Sequence, residues 1–439
     1  MNIIIAGAGK VGFNLAKTLL IGHNVTVVDK NLKALNRIQE SLDILALEGD
    51  VEDYATYTKI IDKKVDLFIA VTNIDNVNLV STLIADSILD IKRKFIRLHN
   101  HFYEDDVIEN KLNIEKIIFP RKLTSQAIAS LLNYPKANNV KTFTYTKQKL
   151  ISIRAFKDLK TFILKANNFA VVGIERDKNF FIPKAEDIEI KADDLIYVFG
   201  LDEEIEKIYH KLKPYHTNDI KKCVVFGGED LGISISRALL ETGREVKLIE
   251  KDIEFCKKAN TILQGKAEII NLKYGTANLY EDEGLENADI FISATNDDEY
   301  NIVKCLEAQE KGIKKIIAIN NELEYYNLMH TLGIIVTRGP KISAYNTIME
   351  HISSTGVVIQ KSFCGARATV YMRKIFENSK LIGKNLKPIK NITKSIIFYM
   401  KDNELKIFNE KILLQKDDLI IAFCVDSESS KIQKWIYEL

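Results

Sequence analysis

Through residues 1–120 the chain alternates short apolar runs with stretches of helical spacing. "NIIIAG", "NVTVVD", "DILALEG", "DLFIAVT", "FIRLH" and "KIIFP" are the apolar runs. Between them fall Val11, Leu15 and Leu19, then Leu32, Leu35 and Ile38, then Val77, Val80 and Ile84. Short runs bounded by turn residues predict buried strands, and apolar residues three or four apart predict helices. Strands alternating with helices predict a parallel sheet covered on both faces. Six strands in this rhythm predict an α/β fold of the Rossmann-like, doubly wound kind. The pattern then changes. "LISIRAF", "FAVVGIERD", "NFFIP" and "DLIYVFG" crowd together ahead of the amphipathic "EEIEKIYHKL". This predicts a small α+β module with neighbouring antiparallel strands.

The whole arrangement then repeats. "AVTNIDNVNLV" (70–80) returns as "SATNDDEYNIV" (293–303), and "KADDLIYVFGLDEE" (191–204) as "QKDDLIIAFCVDSE" (415–428). The chain therefore reads as two tandem units, each a Rossmann-like module and a small module. The expected boundaries are 1–120 for the first Rossmann-like module, 121–137 for a linking helix and 138–214 for the first small module. The second unit follows as 220–338, 339–354 and 355–439. "KLKPYHTNDIKK" (211–222), polar and interrupted by Pro214, is the expected junction.

Candidate chemistry begins at the first turn. Gly7, Gly9 and Gly12 have the spacing G-x-G-x-x-G between a predicted strand and a predicted helix. In that setting the first glycine makes the tight turn and the second admits a pyrophosphate. The third lets the helix pack closely, and the helix N-terminus offers amides to the phosphates. Asp29 closes "NVTVVD", where a carboxylate bonds ribose hydroxyls and repels a 2′-phosphate, favouring NAD(H) over NADP(H). Lys30 beside it is the one contrary charge. Asp50 in "LEGD" ends the third strand near the expected adenine position. Thr72 and Asn73 end the fourth strand, and Arg97 and Leu98 the fifth, at the crevice where such sheets bind ligands. Polar residues at strand ends also serve as helix caps.

In the second copy, "GGEDLG" keeps Gly227 and Gly232 but places Glu229 at the middle position. Glu250 repeats the ribose acid, whereas Gly275 aligns with Asp50. A carboxylate 4 Å from a phosphate costs about 4 kcal/mol at an effective dielectric near 20. The second site is therefore expected to be weak or absent.

Composition narrows the class. Among 439 residues, 62 Lys and Arg nearly balance 60 Asp and Glu, and no long basic tract asks for a nucleic-acid partner. No apolar run is long enough to span a membrane, and the glycine fingerprint follows Met1 without room for a signal peptide. The five cysteines are scattered without C-x-x-C spacing, which points to a reducing, cytoplasmic setting, and Cys223, Cys364 and Cys424, in apolar surroundings, are expected in the core. His99 and His101 lack neighbouring ligands at metal spacing and are expected to be solvated loop residues.

"NIIIAGAGKVG", "VTVVD", "LFIAVTNIDNVN" and "IFISATNDDEYN", in a duplicated unit, together resemble the TrkA family. Its members are peripheral NAD(H)-binding subunits of bacterial Trk potassium-uptake systems, built from RCK (or KTN) domains each followed by a TrkA-C module. The resemblance implies no enzymatic role. It implies a cytosolic homo-oligomeric ring, dimeric or tetrameric, peripheral on the inner membrane face beneath a Trk-type pore subunit. It places NAD contacts at Gly7, Ala8, Gly9, Lys10, Val11, Asp29, Thr72, Asn73 and Leu98, and in the second copy at Gly227, Gly228, Glu250, Thr295 and Asn296. ATP and ADP are further nucleotides that the family implies. Two other readings stay open on the residues alone: an NAD-dependent oxidoreductase, which would need a positioned acid or base, and a scaffold that only dimerises.

Overall fold

The computed structural model describes residues 1–60, 64–104, 106–132, 134, 137–143, 145–156, 159–165, 169–177, 179–184, 187–212, 220–272, 279–353, 358–365, 367–377, 379–387, 389 and 392–439. The Gly275 position and most of the expected junction lie outside the described residues.

Six strands form the first parallel sheet: Asn2–Ala6, Asn24–Asp29, Leu45–Glu48, Lys64–Ala70, Asp90–Arg97 and Lys116–Ile118. Their order is third, second, first, fourth, fifth, sixth. All their pairings are parallel. The order reverses beside the first strand, so the crevice opens at its carboxyl end, where the glycine loop lies. Both faces are covered, as the unbroken apolar strands require. Ile4, Phe68 and Ile96 pack on one side with Tyr57 and Ala85. Ile3, Ile5 and Val27, which alternate with them along the strands, are equally buried, as is Leu15 of the following helix.

The second sheet runs Lys222–Phe226, Glu245–Glu250, Glu268–Asn271, Ile290–Ser293, Ile316–Asn320 and Ile335–Arg338, in the same order. Each copy thus carries the doubly wound sheet that the strand–helix rhythm predicts.

Each small module holds a five-stranded antiparallel sheet and a helix, Asp202–Leu212 in the first and Asp426–Glu438 in the second. The first adds a two-stranded sheet, Phe162–Lys165 with Asp187–Ile190, not read from the sequence. Each contains a strand missed in sequence: Ala137–Phe143 pairs with Thr146–Arg154, and Val358–Phe363 with Ala368–Lys374. Both are sheet-edge strands of mixed polarity, "ANNVKTF" and "VIQKSF", so neither shows the apolar run of a central strand. The charged turns "KADDL" and "QKDDL" have a structural purpose. Buried Asp194 accepts from Arg176 Nε at 2.8 Å, from Arg176 Nη2 at 2.7 Å and from the Lys191 amide. Asp418 accepts the Tyr399 hydroxyl at 2.7 Å and the Gln415 amide at 2.6 Å.

The compact units do not follow the order of the chain. One comprises Met1–Gln126 with Arg338–Met349, and the other Ala127–Thr337 with Glu350–Leu439. In the first unit, the helix beginning at Pro340 touches the N-terminal half of the chain. Ser343 Oγ lies 3.2 Å from Thr124 Oγ, and Tyr345 Oη 2.8 Å from Thr18 Oγ1. In the second unit, Ile128, Leu131 and Leu132 join a core with Val225, Ile233, Ile292 and Ile319 of the second sheet. Phe143, Tyr197 and Phe199 of the first small module share another core with Phe363, Phe398 and Phe423 of the second. Among the described residues no helix is long and apolar enough to cross a membrane.

Candidate functional site

The first glycine loop is fixed by its own sheet. Gly7 has φ of +116°, a conformation that favours glycine, and its amide donates to Val28 O at 2.8 Å. A Cβ on Gly7 would stand 3.1 Å from the Thr72 amide, so the loop rests against the end of the fourth strand. A Cβ on Gly12 would stand 1.9 Å from the Gly7 carbonyl oxygen. The closest demand on this third glycine is therefore the loop's own backbone, ahead of the helix–sheet contact that the motif suggests. Gly9 differs from both. A Cβ there meets no protein atom within 4 Å, so nothing in the fold demands glycine at that place. Gly9 is the N-cap of the helix Lys10–Leu19, and no side chain caps it. The amide end of that helix, with its positive dipole, is what an anion at the loop would meet. Lys10 lies in its first turn, and Val11 is buried beneath it.

Asp29 holds the loop from below. Its Oδ2 accepts the Ala8 amide at 2.7 Å, and Oδ1 accepts the Asn31 amide at 2.8 Å. Asp50 lies at the rim, 3.2 Å from Lys30 Nζ. The Glu52 amide and then Lys30 hold its carboxyl below the usual aspartate range against a small burial penalty. Lys30, the contrary charge beside Asp29, is thus partnered by a carboxylate.

Across the crevice, buried Asn78 pins the turn after the fourth strand. Its Oδ1 accepts the Thr72 amide at 2.8 Å and the Thr72 hydroxyl at 2.7 Å. Its Nδ2 donates to Thr72 O at 2.9 Å and Arg97 O at 2.7 Å. Asn301 does the same for Thr295 and Ile319 in the second copy. Neither asparagine was singled out in sequence, although the repeated "N" of "NIDNVN" and "NDDEYN" is the signal that marks them.

Arg97 is the other residue that the geometry brings forward. The residue is 4% exposed; its guanidinium donates to Thr72 O at 2.8 Å and Asn73 Oδ1 at 2.9 Å, while Nε is buried without a partner. Burial pulls its pKa down to about 10, with Arg121 adding to the fall and Asp75 opposing it, so it stays charged at neutral pH. An incompletely bonded buried cation costs stability, and an anion beside it would offset that cost. The adjacent Leu98 has no exposed side-chain surface, and its amide donates to Ile118 O at 2.9 Å, so the polar group at this strand end is Arg97. His99, expected in solvent, is half-buried with Nδ1 3.0 Å from Asp75, which also accepts the His99 and Asn100 amides. Burial would raise the Asp75 pKa, but the His99 ring and these amides outweigh it and hold the carboxyl low.

The second loop reproduces the backbone with different side chains. Gly227 has φ of +102°, and Gly232 would place a Cβ 1.7 Å from its carbonyl oxygen. Buried Glu250 accepts the Gly228 amide at 2.6 Å and the Asp252 amide at 2.9 Å. A Cβ on Gly228 would lie 2.6 Å from Glu250 Cβ. Ala8 with the shorter Asp29, and Gly228 with the longer Glu250, are two fillings of the same space. Thr295 and Asn296 follow the fourth strand of this sheet, and Asn296 donates to Glu229.

Taken together, the first module places a glycine loop, a helix N-terminus, a loop-ordering acid and a buried arginine around one crevice. That donor set fits a dinucleotide diphosphate. The model for the TrkA-N domain matches residues 3–120 and again 223–338. The chain belongs to the TrkA-N family. A curated relative from Archaeoglobus fulgidus, named Trk system potassium uptake protein TrkA homolog, is 26% identical over 446 residues and covers 99% of each chain. The Trk system potassium uptake protein TrkA of Halomonas elongata is 25% identical over 444 residues, covering 97% of this chain and 96% of its own. Among solved structures, the GsuK channel bound to NAD matches 100% of this chain and 79% of that one, with a TM-score of 0.63 at 12% identity. The GsuK RCK domain matches with a TM-score of 0.62 at 13% identity, covering 100% of this chain and 95% of that one. These two neighbours share the fold of this TrkA-N chain.

Proposed function

We propose that this chain is the nucleotide-binding regulatory subunit of a Trk-type potassium-uptake system. The observation that carries the reading is the first module, which has a Gly9 the fold does not require in its glycine loop and, at the end of the fifth strand, a buried Arg97 with an unpartnered Nε. In this reading the amides of the Gly7–Gly12 loop, Lys10 and Arg97 hold the diphosphate of NAD(H). Asp29 and Asp50 lie on the ribose and adenine side, and Thr72 and Asn73 border the nicotinamide half. The second crevice binds more weakly or not at all, and ADP or ATP compete for the first. The full-length TrkA relatives support a transport role over the oxidoreductase alternative. By that analogy the partner is a membrane pore subunit, met by a homo-oligomeric ring at the cytoplasmic face. Nucleotide would act by binding two ring shapes unequally, and a coupling of about 1–3 kcal/mol changes pore activity several-fold.

The test joins binding to flux. The purified chain should bind NADH by fluorescence titration without consuming it in the presence of small oxo-acids. Liposomes holding the pore subunit should change potassium uptake when the chain and nucleotide are added together. Gly9→Glu should abolish both the binding and the nucleotide response. Steady cofactor turnover, or no binding of any adenine nucleotide, would sink the reading.

A further inference from the structure

The two glycine loops have nearly the same backbone. Gly9 has φ −67° and ψ −175°, and Glu229 has φ −67° and ψ −179°; each is the N-cap of its helix. Asn78 and Asn301 pin the facing strand ends in the same way. The glycine loop and the facing strand end of the second cradle therefore match the first in backbone, and the difference between them lies in side chains.

Three positions at its mouth differ in charge: one gains an acid, one changes sign and one loses a cation. Gly9 becomes Glu229, Lys10 becomes Asp230, and Arg97 becomes Ile319, because the Arg97 and Ile319 carbonyls accept the equivalent asparagine amide. A glycine and two cations of the first crevice are replaced by two carboxylates and an alkyl chain. Asp230 lies 2.5 Å from Lys258 Nζ, but Glu229 turns across the crevice instead. Its Oε2 accepts from Asn296 Nδ2 at 2.5 Å. Asn296 is the counterpart of Asn73, whose Oδ1 in the first crevice accepts from Arg97. The side chain that meets the arginine in one copy meets an acid in the other.

We infer that Glu229 is a built-in anion of the second crevice. Its carboxylate spans from the glycine loop to the end of the fourth strand, takes Asn296 as its donor, and keeps nucleotide phosphate out. Each chain then carries one responsive nucleotide site. The inference rests on reading these loops as phosphate cradles.

The experiment counts NADH per full-length chain by equilibrium dialysis and fluorescence titration, with thermal melting as the check on folding. The wild-type chain binds one. Glu229→Gly binds two, the added site weaker because Ile319 supplies no cation. In the reciprocal pair, Gly9→Glu binds none, and Gly9→Glu combined with Glu229→Gly binds one. The first crevice reports that the single Glu229→Gly variant is folded, and thermal melting reports it for the double variant. Two equivalent sites in the wild type would overturn the inference, as would a single site in a folded Glu229→Gly chain. Either outcome leaves the first-crevice reading standing, whereas no binding to the wild type defeats that reading itself.

Discussion

Gly9 and Gly12 sit three residues apart yet answer to different demands. An added methyl at Gly12 runs into the Gly7 carbonyl, while one at Gly9 meets no protein atom. Gly12→Ala should therefore lower stability by more than about 2 kcal/mol, the size expected when backbone must shift. Gly9→Ala should leave stability within about 0.5 kcal/mol, since its backbone suits any residue. Its cost falls on binding, where about 1.4 kcal/mol is a tenfold weaker Kd. Urea unfolding and NADH titration on the two variants check the pair. Equal stability losses would mean that Gly9 serves the fold, not a ligand. The same logic distinguishes Arg97, whose buried and incompletely bonded guanidinium is poorly explained by packing.

At the scale of elements, the helix Asp75–Ile88 is tied to the loop after the fifth strand through one carboxylate. Asp75 accepts the His99 and Asn100 amides and the His99 ring, and these hold its pKa below the ordinary value. A depressed folded pKa adds stability that is complete above the unfolded value, about 3.9, and is lost as pH falls through the folded one. Asp75→Asn should therefore destabilise the chain at pH 7 and progressively less below about pH 4. Urea midpoints at pH 7 and pH 3 check this, and a difference independent of pH would contradict it. Elements with strong periodicity were legible in the sequence: both parallel sheets, their helices and the two glycine loops carry unbroken apolar runs or fixed spacing. Ala137–Phe143 and Val358–Phe363 were not, because edge strands need no continuous apolar face. In the site, Asp29, Thr72 and Asn73 could be placed from strand ends. The burial of Arg97 and the turn of Glu229 toward Asn296 depend on side-chain packing across strands distant in sequence.

For the whole molecule, the repeat was legible in sequence but its interleaving was not. Each compact unit takes residues from both halves of the chain: Arg338–Met349 belongs with Met1–Gln126, and Ala127–Thr337 includes the first small module. Apolar residues of the helix Pro120–Leu132 complete a core whose remaining members include the second sheet. Burial of a Leu or Ile side chain stabilises by roughly 1.5–3 kcal/mol. The fragments on either side of the junction would thus expose several such groups on parting, in addition to the aromatic core shared by the small modules. A protease site inserted between Pro214 and Asn218 should therefore give a cut chain whose two pieces co-elute on gel filtration. They should separate only in denaturant, in one cooperative transition. The amino-terminal piece expressed alone should aggregate or bind a hydrophobic dye, because Ile128, Leu131 and Leu132 have lost their partners. Pieces that part freely in dilute buffer would mean that the duplication yields two independent bodies.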